Sequence, residues 1–266
     1  MVSAVAGAFA KARADGRAAL VGYLPAGFPS VAGAVSALHA MVDSGVDVVE
    51  VGLPYSDPLM DGPTIQVAVE RALAGRTRTA DVLRTVEAVA HSGAPALVMT
   101  YWNPVEQYGV ERFAADLASA GGSGMITPDL TPEEAGPWLA AAAAAGLDPV
   151  FLVAPSSTDA RIGAVAEVCR GFVYAASTMG VTGARDRVSD LAPRLVARVR
   201  AATALPVAVG LGVSGGEQAA KVAAYADGVI VGSAFVRRLL DAPDEAAGAA
   251  AVGALAADLA AGVRRR

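Results

Sequence analysis

Hydrophobic residues occur along this chain in short continuous runs, and each run is followed by a polar turn and a helical pattern. The runs are rich in Val, Ile and Leu and do not alternate with polar residues. Continuous runs are typical of parallel strands that are covered on both faces. The eight runs are residues 19–24, 46–51, 95–101, 124–127, 149–154, 171–177, 205–210 and 227–232.

Ala-rich amphipathic segments between the runs predict helices, and some of them end in Gly at the position that a helix C-cap favours, as in AAAAAG (141–146). A strand followed by a helix, eight times in about 220 residues, indicates a closed (β/α)8 barrel, the TIM barrel. The alternative, a doubly wound open sheet, requires a G-x-G-x-x-G turn after an early strand. The first run is instead followed by AGFPS.

The length of 266 residues fits one domain, residues 1–266. We expect the barrel proper over about 19–240, and a C-terminal helix with a basic tail over 241–266. The Ala-rich segment before residue 19 predicts an extra N-terminal helix that closes the bottom of the barrel.

The charge pattern argues against two classes of partner. The formal net charge is -5 and no basic cluster is present, which argues against nucleic acid and against an anionic membrane. Arg264–Arg266 is interpreted as a solvated tail. The N-terminus lacks a signal-peptide layout, and acidic residues interrupt the apolar C-terminal stretch, so we expect no membrane helix.

Cysteine and histidine are scarce, which bears on compartment and on metal binding. Cys169 is the only cysteine, so no intrachain disulfide forms and a cytoplasmic location fits. Its helical pattern favours a buried thiol. His39 and His91 are interpreted as ordinary helix residues, which makes a zinc site improbable.

The longest excursion from the repeat is VEVGLPYSDPLMDGPTIQ (49–66), between the second and third runs. Glu50 stands among valines, and burying an unpaired carboxylate is costly. Loops after the strands form the catalytic face of such barrels, which places Glu50, Asp57 and Asp61 there. Two carboxylates in different environments perform acid–base chemistry without a metal or an organic cofactor.

Each of these carboxylates also has a structural interpretation. Glu50 would form a salt bridge across the barrel rim. Asp57, in S-D-P, would shape the turn, and this interpretation is favoured for it. Asp61, in D-G-P, would be a turn former.

Glycine-rich segments follow the last three runs, at 179–183, 210–218 and 232–234. Glycine lets the backbone approach a ligand, and free N–H groups at a helix start bind anions. Phosphate sits after strands seven and eight in many barrels. We therefore expect a phosphorylated substrate, with Ser214 and Ser233 as hydroxyl donors or helix caps.

Several motifs in chain order resemble the tryptophan synthase alpha subunit family over roughly residues 19–240. The segment 49–66 is similar to the signature E-x-G-x-P-[FY]-S-D-P-x-x-D-G-P-x-I-Q at every fixed position. The other matching motifs are MTYWNP (99–104), PDLTPEE (128–134), FLVAPSST (151–158), FVYAASTMGVTG (172–183), VGLGVS (209–214) and DGVIVGSA (227–234).

The resemblance implies a TIM-barrel lyase that cleaves indole-3-glycerol phosphate to indole and glyceraldehyde 3-phosphate by a retro-aldol reaction. Glu50 matches the family's proton-transferring glutamate, Asp61 matches the aspartate that accepts the indole N–H, and Tyr174 matches a tyrosine beside the reacting carbon. The substrate-binding positions implied in the same way are Tyr23, Tyr101, Thr182, Gly183, Gly212, Ser214, Gly232 and Ser233, with residues 177–190 as a lid.

The resemblance also implies a partner, a pyridoxal-phosphate-dependent beta subunit in an alpha2beta2 complex that receives the indole. Pyridoxal phosphate would belong to the partner, so this chain is assigned no cofactor and no metal. The implied docking loops are 54–62, 103–109 and 129–135. Two other functions stay open: a stand-alone indole-releasing lyase of a specialised pathway, and a non-catalytic barrel that activates a beta subunit.

Some positions depart from the commoner family pattern without touching the carboxylates. Leu211 stands where Phe is frequent, and Ser123 and Thr131 replace Asp and Pro. AGFP (26–29), which includes Phe28, replaces a G-D-P turn. The departures at Phe28 and Thr131 bear on loop geometry and on the contact with the partner.

Overall fold

A computed structural model describes residues 3–176, 191–210 and 212–265. Eight parallel strands pair in chain order and close into a barrel, as the strand–helix repeat predicts. The strands are β1 (Ala19–Pro25), β2 (Val48–Gly52), β3 (Ala96–Met99), β4 (Gly124–Thr127), β5 (Asp148–Val153), β6 (Val173–Ala176), β7 (Val207–Gly210) and β8 (Gly228–Val231).

The helices surround the barrel, and one of them precedes it. They are α1 (Ala4–Ala14), α2 (Val31–Asp43), α3 (Pro63–Ala74), α4 (Thr79–His91), α5 (Trp102–Tyr108), α6 (Val110–Ser119), α7 (Gly136–Ala145), α8 (Asp159–Val168), α9 (Leu191–Ala202), α10 (Gly216–Ala223), α11 (Ser233–Leu240) and α12 (Glu245–Val263). The AAAAAG segment ends α7 as predicted, because Gly146 adopts the left-handed conformation at the C-cap (φ 71°).

The N-terminal helix closes the bottom of the barrel. Ser3 caps α1, since its hydroxyl accepts a hydrogen bond from the Ala6 N–H at 3.1 Å. Phe9 of α1 lies against Phe172 inside the barrel, with ring centroids 5.2 Å apart. The predicted extra helix is therefore confirmed, and its apolar face extends the interior cluster of the barrel.

The third predicted strand overruns the observed one at the catalytic face. The run 95–101 gives a strand that ends at Met99, and Tyr101 is the N-cap of α5 instead. Tyr101 is nevertheless buried, at 5% exposure. In this case the apolar run continues past the strand because Tyr101 itself is buried.

Helix α12 is the C-terminal stretch for which no membrane helix is expected. By length and composition it is long and apolar enough to cross a membrane, with a mean hydropathy of 1.6. Its two acidic residues, Glu245 and Asp258, are too few to exclude a span by composition alone. In the structure its buried face, which includes Val252 and Leu259, belongs to the core between helices and strands.

Cys169, His39 and His91 have the structural roles that the sequence predicts. Burial raises the pKa of the Cys169 thiol to about 12, and its sulfur accepts a hydrogen bond from the Phe151 N–H. His39 and His91 lie on α2 and α4, and each has a ring nitrogen within hydrogen-bond distance of a backbone carbonyl oxygen.

Candidate active site

Glu50 lies inside the barrel. Val48 belongs to the interior cluster, and residues two apart on a strand share a face, so Glu50 also points inward. Its backbone pairs with Tyr23 of β1. Glu50 is 1% exposed and its Oε1 atom has no hydrogen-bond partner among the described residues. Burial raises the pKa of this carboxyl to about 8.

The salt-bridge interpretation of Glu50 finds no support in the part of the chain that the structure describes. Within residues 3–176, 191–210 and 212–265, no ion pair includes Glu50. Desolvation by burial accounts for the raised pKa of its carboxyl. A buried acid kept without a compensating cation is typical of a functional site.

Asp61 lies at the end of the loop between β2 and α3, and it does not cap that helix. Gly62 is the N-cap of α3, which has no side-chain cap. The carboxyl instead lies near Tyr23, whose pKa is raised by burial and then by the Asp61 charge. Burial raises the pKa of Asp61 while the Tyr101 hydrogen bond opposes the rise. The carboxyl is therefore directed to the barrel mouth, which a turn former does not need.

Asp57 is exposed and differs from the other two carboxylates. Its Oδ2 accepts a hydrogen bond from the Ser56 hydroxyl at 2.5 Å. This contact within one turn fits the favoured interpretation, in which Asp57 shapes the loop.

Tyr23 and Tyr174 fill the upper interior of the barrel, and three glycines make room for them. A Cβ on Gly52 would lie 2.7 Å from Cζ of Tyr23, and one on Gly232 would lie 3.2 Å from its Cδ1. A Cβ on Gly210 would lie 2.7 Å from the Tyr174 hydroxyl oxygen. These glycines are thus required for space at the mouth, and glycines of the predicted phosphate segments partly serve the tyrosines.

The charges at the barrel mouth act on one another, which shows that the structure brings them together. Burial raises the pKa of Tyr23 well above its usual value, and the nearby Asp61 and Glu50 raise it further. The pKa of Tyr174 is raised by burial and then by Glu50. Burial raises the pKa of Tyr101 to about 12. All three phenols therefore stay protonated near neutral pH.

Two apolar residues of the site were missed by sequence reasoning. Met99 and Leu152 follow the interior residues Leu97 and Val150 by two positions, so they face the same cavity. Both are partly buried against the interior cluster, as is Tyr174. Counting every second residue from Glu50 around the strand register would have found them.

The segments predicted to bind phosphate lead into helices α10 and α11, and the N-termini of these two helices differ. Gly232 is the N-cap of α11, and no side chain caps this helix. The N-terminal N–H of α10 is taken, because Gly216 donates to Asp258 at 2.7 Å. Gly212 has a φ of 55°, which favours glycine. Among the described residues, the one of these two helix starts without a side-chain cap is therefore the one at Ser233.

Ser214 is bound within its own loop. Its N–H donates to Oε1 of Gln218 at 2.7 Å, and its hydroxyl lies 3.0 Å from the same oxygen. The predicted residues Thr182 and Gly183, and the departure at Leu211, lie outside the described residues.

Comparison with known proteins gives a consistent result. The model of the family described as tryptophan synthase alpha chain matches residues 9–263. A tryptophan synthase alpha chain of Acidothermus cellulolyticus is 65% identical over 264 residues, which cover 99% of this chain and 98% of the relative. The chain belongs to the tryptophan synthase alpha chain family. A relative of the same description from Thermobifida fusca is 63% identical over 258 residues, 96% of each chain.

Solved structures agree with this assignment to the tryptophan synthase alpha chain family. Tryptophan synthase of Mycobacterium tuberculosis superposes with a TM-score of 0.93 at 57% identity, over 99% of both chains. The alpha subunit of Legionella pneumophila gives 0.87 at 35% identity, also over 99% of both chains. Tryptophan synthase alpha chains are lyases that cleave indole-3-glycerol phosphate.

The residues that depart from the commoner pattern of tryptophan synthase alpha chains make the following contacts. Phe28 is buried, at 2% exposure, with the Arg71 guanidinium 5.9 Å from its ring centroid. The Thr131 hydroxyl lies 3.3 Å from Oε2 of Glu134 within its own turn. The Ser123 N–H donates to the Ala96 carbonyl at 2.7 Å.

We expect the Glu50 carboxyl to be protonated at pH 7 and to ionise near pH 8. Between the ordinary value of 4.5 and about 8, only the folded chain holds this proton. The contribution of Glu50 to the free energy of unfolding is therefore complete below pH 4.5 and is lost as the pH rises to about 8. Infrared difference spectra against Glu50→Gln should show a protonated carboxyl band that disappears near pH 8. A band already absent at pH 6 would contradict this.

Proposed function

We propose that this chain cleaves indole-3-glycerol phosphate with Glu50 acting first as acid and then as base. The observation that carries the proposal is a carboxyl that is 1% exposed, lacks a partner for Oε1, and has a pKa raised to about 8. Such a group is protonated when substrate binds and gives up its proton without a large driving force, which suits proton transfer near neutral pH.

The steps balance with this one carboxyl. The protonated Glu50 delivers its proton to the indole carbon that carries the glycerol chain. The carbon–carbon bond to the side chain then breaks, and its electron pair returns to the ring. The Glu50 carboxylate removes the proton of the adjacent side-chain hydroxyl, whose carbon becomes the aldehyde of glyceraldehyde 3-phosphate. Indole is released and Glu50 is protonated again.

Asp61 supports the charge that develops on the ring. Protonation of the indole carbon leaves positive charge at the ring N–H, and an ionised carboxylate beside it stabilises that state. Burial raises the pKa of Asp61, and the Tyr101 hydrogen bond opposes that rise. In the proposed division of roles, Asp61 carries the negative charge while Glu50 carries the proton.

The apolar walls orient the ring and exclude water. Tyr23, Tyr174, Met99 and Leu152 line the interior next to Glu50, and an indole ring is of suitable size and polarity for this space. The phosphate would lie on the uncapped start of α11, at Ser233, with Gly232 and Gly212 allowing close backbone approach. Ser214 would shape this corner through Gln218.

We also propose the beta subunit as partner, in an alpha2beta2 complex, with pyridoxal phosphate held by that subunit and no cofactor in this chain. The expected docking loops all follow strands of the catalytic face. In loop 54–62, Leu59 is 78% exposed and Met60 is 50% exposed, and apolar side chains of this kind favour a protein contact. A cytoplasmic location agrees with the single buried thiol of Cys169.

An indole-release assay on the isolated chain tests the function. We expect indole and glyceraldehyde 3-phosphate in equal amounts, slow release without a beta subunit, and faster release when one is added. A release rate that the beta subunit leaves unchanged would support the stand-alone lyase instead. Absence of release in both conditions, together with activation of the beta subunit, would support the non-catalytic barrel.

A further inference from the structure

The loop that delivers Asp61 is poorly supported at its tip. Leu59 and Met60 immediately precede Asp61, and both are exposed. Exposed loop tips with few buried contacts open with little cost in free energy. The position of the Asp61 carboxylate relative to the indole nitrogen therefore depends on the contacts that hold this loop against the barrel.

The first contact that holds this loop is at its C-terminal end. The Tyr101 hydroxyl accepts a hydrogen bond from the Met60 N–H at 2.9 Å, which holds the residue directly before Asp61. Tyr101 is the N-cap of α5. The first N–H of that helix, on Trp102, donates to both carboxylate oxygens of Asp129 at 2.9 and 3.1 Å. The start of α5 is thus a firm support for the end of the loop.

A second contact holds the N-terminal end of the same loop. The Asn103 side-chain amide donates to the Tyr55 hydroxyl at 3.2 Å, across 48 positions of sequence. The Tyr55 ring lies against the Tyr101 ring, with centroids 5.5 Å apart and planes at 40°. Tyr55 also borders a groove of about 440 Å³, so packing alone leaves its ring room to turn.

We propose that Tyr55 and Asn103 are positioning residues for the lyase reaction. Their hydrogen bond holds the Tyr55 ring against Tyr101, and Tyr101 in turn holds Asp61 at the indole nitrogen. The inference rests on the proposed role of Asp61. It adds a requirement that the carboxylates alone do not reveal, namely that the loop be attached to α5 at both of its ends.

Tyr55→Phe, Asn103→Ala and the double variant of the isolated full chain test the proposal. Loss of one hydrogen bond is expected to lower kcat for indole release about two- to tenfold, with KM unchanged. The double variant should be no slower than the slower single variant, because both changes remove the same bond. The pH profile should also change: a weaker Tyr101 bond raises the pKa of Asp61, so its acid limb should move to higher pH.

Tyr225→Phe is the control. It removes a tyrosine hydroxyl from the segment between α10 and β8, at the end of the barrel opposite the catalytic face, and it should change neither kcat nor the pH profile. An equal effect of this control, additive effects in the double variant, or unchanged kinetics of Tyr55→Phe would each overturn the proposal. An effect seen only with a beta subunit present would also overturn it, since Asn103 would then act through the partner.

Asp61→Asn distinguishes failure of the positioning role from failure of the proposed role of Asp61. If it abolishes indole release while Tyr55→Phe has no effect, the proposed function stands and the positioning role is wrong. If Asp61→Asn retains full turnover, the proposed role of Asp61 is itself wrong and the positioning role fails with it.

Discussion

Replacing Glu50 with glutamine is expected to reduce kcat for indole release by about 10²- to 10⁴-fold, the range typical of a lost general acid or base. Glutamine has nearly the same shape as glutamate, but it neither delivers nor accepts the proton. Because Glu50 is buried without a partner for Oε1, the neutral amide should also leave the free energy of unfolding unchanged or higher above pH 8. Substrate KM should change little, since the phosphate corner is untouched.

Steady-state indole release and thermal unfolding of the same preparation test this expectation together. Glu167→Gln makes the same chemical change on an exposed position of α8 and should leave both quantities unaltered. If Glu50→Gln kept its turnover while remaining folded, Glu50 would be only a core residue. The non-catalytic interpretation of the chain would then gain support.

The second large effect is expected at the opposite end of the barrel, on stability rather than on turnover. Arg17 precedes β1 and its side chain is only 8% exposed. Its guanidinium donates to both carboxylate oxygens of Asp47, at 2.6 and 2.8 Å. Asp47 also accepts the Leu20 N–H at 2.8 Å. One carboxylate therefore pairs a buried cation and a strand N–H at the start of β1 and β2.

Asp47→Ala is expected to lower the free energy of unfolding by about 3–5 kcal/mol, because it leaves the Arg17 cation buried and unpaired. For a chain of this size the melting temperature should fall by roughly 10 °C. Calorimetry or circular dichroism with denaturant unfolding measures both quantities.

Asp15→Ala is the control for the stability prediction. Asp15 also contacts Arg17, at 3.4 Å, but its side chain is 50% exposed, so its removal should cost less than about 1 kcal/mol. Equal losses for Asp15→Ala and Asp47→Ala would show that burial of the pair is not the cause. The kcat of folded Asp47→Ala should stay normal, since the pair lies far from the catalytic face.

Prediction from sequence succeeded where the pattern is local and failed where it depends on distant contacts. The strand runs, the N-terminal helix and Gly146 were recognisable because burial periodicity and helix caps are properties of neighbouring residues. Met99 and Leu152 were missed because their inward direction depends on strand register.

The sequence by itself determined the order and type of the elements and placed Glu50 and Asp61 on the loop-bearing face, since both follow from local patterning. Only the tertiary structure decided that Glu50 has no ion-pair partner among the described residues. It also decided that Asp258 accepts a hydrogen bond from the first N–H of α10 and that the Asn103 amide donates to the Tyr55 hydroxyl. Each of these is a contact across a large sequence separation. Its existence depends on barrel closure and on single hydrogen bonds of about 1 kcal/mol, and no local pattern encodes either.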